Sequence, residues 1–117
     1  MAIPLHDHFG WTVRARREID QIADAYRSIG QDPLILSICW ATVRLNAGGG
    51  YQTPMVGFYC SGEAEKLPAE EIGTIDGLRC VFFLLDDAKT RFWDKVLDWE
   101  EPGRWVLLDR SPGKPSG

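Results

Sequence analysis

The stretch "RLNAGGGYQTP", residues 44–54, lies between two apolar runs that are typical of β-strands. Three consecutive glycines are costly to order, and they suit a point where the backbone needs unusual freedom. A phosphate loop of the Walker type would need Lys and then Ser or Thr after its last glycine, followed by a helix. Here Gly50 is followed by "YQTP" and then by a second strand. The stretch therefore predicts a β-hairpin with its tip at Gly48 to Tyr51 and at least one glycine of Gly48, Gly49 and Gly50 at positive φ.

The chain before this hairpin has the pattern of one amphipathic helix. Thr12 is a suitable N-cap, and Gly30 suits the C′ position at the other end. Apolar residues recur at helical spacing between them. These are Ile19, Ile22, Ala23, Tyr26 and Ile29. The strand that follows, "LILSICWATVRL", is apolar on both faces, which predicts burial on both sides for part of its length.

The chain after the hairpin predicts two further hairpins and a short helix. "GTIDGLRCVFFLLDD", residues 73–87, has strand character with Asp76 and Gly77 as a tight turn. Residues 87–93 favour a short helix, although apolar residues from Ala88 to Leu97 would also suit one continuous helix. "KVLDWEEPGRWVLLD", residues 95–109, favours two strands around a Pro-Gly turn of type II.

Length and composition indicate one globular domain. The chain has 117 residues, 44% of them apolar, with a net charge of −4 and a pI near 5.1. This acidic balance argues against a nucleic-acid partner, and no apolar run is long enough to span a membrane. Three cysteines without a CxxC spacing fit a reducing cytoplasm. We expect a short leader at residues 1–10, the domain at 11–110 and a disordered tail at 111–117.

Three short motifs occur in a fixed order within residues 11–110. They are the glycines at 48–50, "DGLRCVFFLLD" at 76–86 and "VLDW" at 96–99. In this order they resemble the HesB-like family, the A-type iron–sulfur carriers. That family has a glycine-rich strand end, a "DG-x-x-V-x-V-D" strand and a "G-x-x-[IL]-D-[YF]" strand. The resemblance implies a HesB-like pseudo-barrel of folded-over mixed sheet.

The ligands of the iron–sulfur cluster are the point at which the sequence departs from this family. The family's first ligand is a cysteine directly after the glycines, where this chain has Tyr51. Two more family ligands lie in a C-terminal Cys-Gly-Cys, whereas "LLDRSPGKPSG" contains no cysteine. Thiolates are what hold iron in such clusters. The resemblance therefore implies the fold without the cluster site, and we expect no cofactor.

An atypical metal site remains the alternative. His6 and His8 are two residues apart, so in an extended segment both imidazoles would point the same way. A cysteine such as Cys60 could add a third ligand, with Cys39 and Cys80 as further thiols. The simpler interpretation is a mobile, incidental His-x-His and buried structural cysteines, with Cys60 the most accessible because it borders a turn.

Catalytic chemistry has no residue support in the sequence. The serines lack a nucleophile-elbow motif, and the paired acids fall in loops or at the ends of elements. The five tryptophans are the remaining unusual feature. Packing accounts for most such residues, but Trp99 and Trp105 flank the Pro-Gly turn and could form a cross-strand pair. We expect Trp105 to belong to the core and Trp99 to be partly exposed.

These observations favour a β-rich α+β domain with one main N-terminal helix and one short helix. A plain sheet with helices on one face is the alternative architecture. The predicted function is non-catalytic binding of a protein partner or a small ligand, with a homodimer as one possible assembly. The candidate binding residues share a position at a hairpin tip or turn. They are Gly48, Gly49, Gly50, Tyr51, Trp99 and Trp105.

Overall fold

A computed structural model describes residues 5–84, 86–101 and 103–110, so the predicted tail at 111–117 lies outside the described residues. The helices are α1 (Val13–Ser28) and α2 (Asp86–Phe92). The strands are β1 (Phe9–Trp11), β2 (Pro33–Arg44), β3 (Gly50–Cys60), β4 (Gly73–Ile75), β5 (Leu78–Phe83), β6 (Lys95–Glu100) and β7 (Arg104–Asp109). The predicted class, a β-rich α+β domain with one main N-terminal helix and one short helix, is confirmed.

Within the described residues the strands form two mixed sheets. The four-stranded sheet has the order β3-β2-β5-β4, and the three-stranded sheet has the order β1-β6-β7. The pairs β2–β5 and β1–β6 are parallel, and the remaining pairs are antiparallel. The alternative of one plain sheet is therefore wrong, because the strands divide into two sheets that share a core.

The edges of the two sheets approach each other at two places. The Thr53 hydroxyl of β3 donates to the Trp105 carbonyl of β7 at 3.2 Å. On the other side, the Trp11 indole of β1 donates to the Asp76 carboxylate of the β4–β5 turn at 3.3 Å. These are side-chain bridges without strand pairing, so the described strands fold over each other but do not close into a barrel.

The main core lies between the two sheets and α1. Phe92 of α2 is fully buried at its centre, with its ring near those of Phe9, Trp40 and Phe82. The other buried members come from every layer of the fold. They are Ala15, Ile19, Leu36, Ile38, Ile75, Cys80, Leu97 and Trp105. Burial of this apolar surface is the main favourable term in folding.

Helix α1 begins and ends where the sequence predicts. The Thr12 hydroxyl accepts from the Ala15 amide at 3.2 Å, and Gly30 follows the helix with a φ of +81°. Ile19 is buried, as the apolar stripe predicts. Ile29 belongs to the predicted stripe but is 72% exposed, because it is the C-cap residue and lies beyond the last helical turn.

The glycine-rich hairpin and its positive-φ glycines are confirmed, but its tip is at residues 45–49 and not at Gly48 to Tyr51, because β3 already begins at Gly50. Gly48 and Gly49 have φ values of +94° and +76°, and Gly50 already pairs with Arg44 as the first residue of β3. Pro54 pairs with Trp40 inside β3. The position tolerates proline because β3 is the edge strand of its sheet and one side of it needs no amide donor.

Replacing Gly50 with alanine should lower the free energy of unfolding by about 1–2 kcal/mol, because a Cβ there would lie 2.5 Å from the Val43 carbonyl oxygen. Urea unfolding measures the loss. Gly57→Ala in the same strand is the matched control, since its Cβ would meet only the Tyr26 hydroxyl at an ordinary 3.7 Å. Equal losses in the two variants would contradict this account of the hairpin.

Residues 5–10 of the predicted leader have regular structure and pack against the domain. Leu5–His8 form a 3₁₀ turn, and Phe9 is buried where β1 pairs with β6 in parallel. Phe9 lies opposite Lys95, and Trp11 lies opposite Leu97. The segment thereby fills the space between the two sheets.

The C-terminal strands β6 and β7 confirm the last predicted hairpin, with Trp99 opposite Trp105. Its turn includes Gly103 at a φ of +152°. The predicted type II geometry also depends on Pro102, which lies outside the described residues. Among the described helices, none has the length and apolar character needed to cross a membrane.

Candidate functional site

Part of the predicted binding set lies in a shallow depression at the glycine-rich hairpin. The depression has a volume of about 260 Å³. Its lining residues are Thr42, Arg44, Gly49, Gly50, Tyr51 and Gln52. The positive φ of Gly49 turns the chain back at this end, and Tyr51 is 50% exposed beside it.

A second depression of about 290 Å³ shares Thr42 and Gln52 with the first, so the two adjoin. Its other lining residues come from β2, β5 and α2. They are Trp40, Phe83, Leu84, Ala88 and Arg91. We call the two depressions together the hairpin groove. The alternation of β2 places Trp40, Thr42 and Arg44 on one face of the strand, along the length of this groove.

The hairpin groove combines aromatic surface with positive charge. The Arg91 guanidinium lies over the Trp40 ring, 5.2 Å from its centroid, in a cation–π contact. Arg44 is exposed at the other end. Within the described part of the chain neither arginine forms an ion pair. The described side chains that line the groove include no carboxylate.

Two other clefts among the described residues carry charges of both signs. The cleft of about 330 Å³ beside Trp11 contains Arg16, which is paired with Asp20 and with Asp76 at 3.2 Å each. The cleft of about 170 Å³ beside Trp99 is lined by Arg14, Arg17, Glu18, Gln21, Trp99 and Glu101. The hairpin groove therefore differs from both clefts in having arginines without acidic neighbours among its described lining.

The tryptophan pair does not join the hairpin groove. The rings of Trp99 and Trp105 lie 4.8 Å apart at 62°, an edge-to-face contact. Trp105 is only 9% exposed and belongs to the main core, whereas Trp99 is partly exposed and lines a different cleft. The predicted core position of Trp105 and partial exposure of Trp99 are confirmed. The six predicted binding residues thus divide between at least two places.

One buried charge was not recognised in the sequence. Asp98 of β6 is 2% exposed and accepts hydrogen bonds from the Thr12 hydroxyl and the Arg14 guanidinium. Burial on its own would raise the pKa of Asp98, but these hydrogen bonds outweigh burial and hold the pKa below its usual value. Because Thr12 is the N-cap of α1, this cluster fixes the start of the helix to β6. An aspartate in an alternating strand pattern gives no local sign of this burial.

The two histidines have separate partners, so the expectation of a mobile His-x-His is wrong. The His6 Nε2 donates to the Cys80 carbonyl at 3.0 Å, and the His8 Nδ1 donates to the Asp94 carboxylate at 3.1 Å. The His8 ring also stacks on Trp93 at 4.0 Å. Each imidazole has a structural role in fastening the N-terminal segment.

Cys80 is buried as predicted, but the prediction that Cys60 is the most accessible of the three thiols is wrong. Cys60 is buried, and Cys39 is the partly exposed one. Cys60 borders a turn as expected, but β2 and the segment after β3 pack around this end of the sheet. Burial raises the pKa of Cys39, and it raises the pKa of Cys80 to about 12. These thiols are therefore protonated at neutral pH and are weak nucleophiles and metal ligands.

The alternative metal set of His6, His8 and Cys60 is not gathered into a site. Among the described residues, no three His, Cys, Asp or Glu side chains are placed to hold one metal ion. No known protein-family model matches the sequence, and no curated protein matches it. The resemblance to the HesB-like family stays a prediction.

The outer face of the four-stranded sheet carries a row of apolar side chains. Met55 of β3 and Phe83 of β5 each lie opposite Cys39 of β2, and both are exposed. The Phe83 ring also lies 5.5 Å from that of Tyr59. Such a row suits contact with another chain, and the predicted homodimer stays a prediction.

Proposed function

We propose that this chain is a non-catalytic domain that binds a protein partner or a small ligand in the hairpin groove. The observation that carries the proposal is the joined pair of depressions, in which aromatic, polar and cationic side chains line one continuous surface. Binding sites in proteins commonly combine an apolar wall with a few polar groups that orient the ligand. Trp40 and Tyr51 supply aromatic surface here, and Thr42 and Gln52 supply hydrogen-bonding groups.

The state of the buried reactive groups supports binding over catalysis. Asp98 keeps its negative charge at neutral pH and is already engaged by Thr12 and Arg14, so it is a poor general acid. Cys80 is held in its thiol form by burial. The hairpin groove itself is open and shallow, a shape that suits a side chain or a short segment of a partner.

The relationship with the iron–sulfur carriers is part of this proposal. The order of elements that suggested the HesB-like family includes the glycine hairpin, the Asp76–Gly77 turn and the strand that carries Asp98. Tyr51 would occupy the position of the family's first cysteine, at the mouth of the groove. We infer that the surface used for a cluster in that family serves here for a ligand that needs no thiolate.

An NMR titration of ¹⁵N-labelled protein with small aromatic fragments tests the proposal. Bound fragments should shift the amide signals of residues 49–52 and 88–91. Tyr51→Ala should weaken binding with little effect on stability, since Tyr51 is half exposed, while Tyr51→Phe should retain binding through the ring. Shifts confined to Trp99 and Gln21, or equal binding by Tyr51→Ala, would instead favour the other cleft and contradict the proposal.

A further inference from the structure

We propose that the occupant of the hairpin groove is an extended acidic peptide segment of a partner protein. This inference rests on the proposed function and names the chemistry of the partner. It follows from three features of the groove: the sign of its charge, the spacing of its two arginines and the character of the surface between them.

The charged side chains in the described lining of the groove are positive, whereas the chain as a whole is acidic. The chain has a net charge of −4, yet Arg44 and Arg91 lie in a groove whose described lining contains no carboxylate. Several arginines elsewhere have acidic partners, as Arg14 does with Asp98 and Arg16 with Asp20. Arg44 and Arg91 form no ion pair among the described residues and lie in one groove, so together they can bind carboxylates from another molecule.

The spacing of the two arginines fits a ligand with two separated anionic groups. Arg91 lies over Trp40, and Arg44 is four residues further along the same face of β2. Four residues of a strand span about 13 Å, so a ligand that follows the row from Trp40 to Arg44 has to be extended. In an extended peptide, acidic side chains four residues apart share one side and have the same separation.

The surface between the arginines suits the middle of such a peptide. Thr42 and Gln52 lie opposite each other across β2 and β3, and both are exposed. Their side chains can bond to the peptide backbone or to a polar side chain. The Trp40 ring lies at one end of this surface, under the Arg91 guanidinium, and can stack against an aromatic or apolar residue of the ligand.

The test uses a five-residue peptide, acetylated and amidated, with glutamates at positions one and five and a tyrosine at position three. Its counterpart has glutamines in place of the glutamates. Titration of the full chain, followed by ¹⁵N NMR, should show the acidic peptide binding at least about tenfold more tightly at low salt. Its affinity should fall as salt is raised, because exposed charges are screened.

Variants of the protein locate the effect. Arg44→Gln and Arg91→Gln should each weaken the acidic peptide about threefold to fivefold, as expected for exposed charge pairs. Arg79→Gln is the matched control, because Arg79 is an exposed arginine of β5 outside the groove. The affinity of Arg79→Gln for the acidic peptide should stay within about twofold of that of the parent protein.

Three outcomes would overturn the inference. They are equal affinity for the glutamine peptide, an equal loss in Arg79→Gln, and no binding of the acidic peptide. A fourth measurement uses phenylacetate, a small aromatic carboxylate. If it bound as tightly as the acidic peptide, the ligand would be a small carboxylate and not an extended peptide. In these cases the proposed function still stands if aromatic fragments shift the amide signals of residues 49–52. Failure of the proposed function can therefore be told apart from failure of the acidic-peptide inference.

Discussion

Trp105→Ala is expected to lower the free energy of unfolding by about 3–5 kcal/mol, as removal of a buried aromatic side chain usually does. The side chain is only 9% exposed and packs in the main core. Its loss would also remove the edge-to-face contact with Trp99, 4.8 Å away. Thermal and urea unfolding of the purified variant measure the loss.

The partner tryptophan is the control for this prediction. Trp99 is partly exposed, so Trp99→Ala should cost less than about 2 kcal/mol. A large difference between the two variants would identify Trp105 as a packing residue. If Trp105→Ala left stability unchanged, its assignment to the core would be wrong, and the tryptophan hairpin would again be a candidate recognition surface.

Asp98→Asn is expected to cost about 2–3 kcal/mol at neutral pH, within the range for hydrogen bonds to a buried charged group. The carboxylate accepts from the Thr12 hydroxyl and from the Arg14 guanidinium, and an amide cannot accept both bonds as well. Because Thr12 is the N-cap, the first turn of α1 should also lose protection against hydrogen exchange. Chemical unfolding and hydrogen exchange measure the two effects.

The cost of Asp98→Asn should depend on pH in one direction. The folded pKa of Asp98 is below its ordinary value of 3.8, so the folded protein binds fewer protons there than the unfolded chain. The stabilisation is complete above that ordinary value and is lost as the pH falls through the folded pKa. The parent and the variant should therefore converge in strong acid.

Asp24→Asn is the matched control for this pH dependence. Asp24 pairs with Arg27 on the surface of α1 and is exposed. Its replacement should change stability by less than about 0.5 kcal/mol at any pH. If the difference in unfolding free energy between the parent and Asp98→Asn stayed the same in acid, the charge of Asp98 would not be the cause of that difference.

Elements with local signals were predictable from the sequence. Thr12 and Gly30 mark the ends of α1, and the glycines at 48–50 mark the first hairpin, because caps and turns depend on residues close together in the chain. Strand β1 was missed. It has three residues, and its partner β6 lies near the other end of the chain, so nothing in its own neighbourhood indicates the pairing.

The candidate site was predictable only in part for the same reason. Gly49, Gly50 and Tyr51 were identified because their loop is unusual in itself. Arg91 was not identified from the sequence, because its position over Trp40 depends on how α2 packs against β2. The exposure of Cys39 and the burial of Cys60 likewise depend on which segments cover each end of the sheet.

The parallel pairing of β1 with β6 has a consequence for how the chain folds as it is made. Synthesis runs from the N-terminus at roughly 5–20 residues per second, so β1 emerges several seconds before its partner. The segment from β2 to β5 is synthesised after Phe9 and before Lys95 and Leu97, so β1 has no strand partner during that time. Pairing between such distant segments is slow, because a long loop must close first. Strand β1 is therefore synthesised long before the strand that holds it in the sheet, and it stays unpaired until β6 has been made.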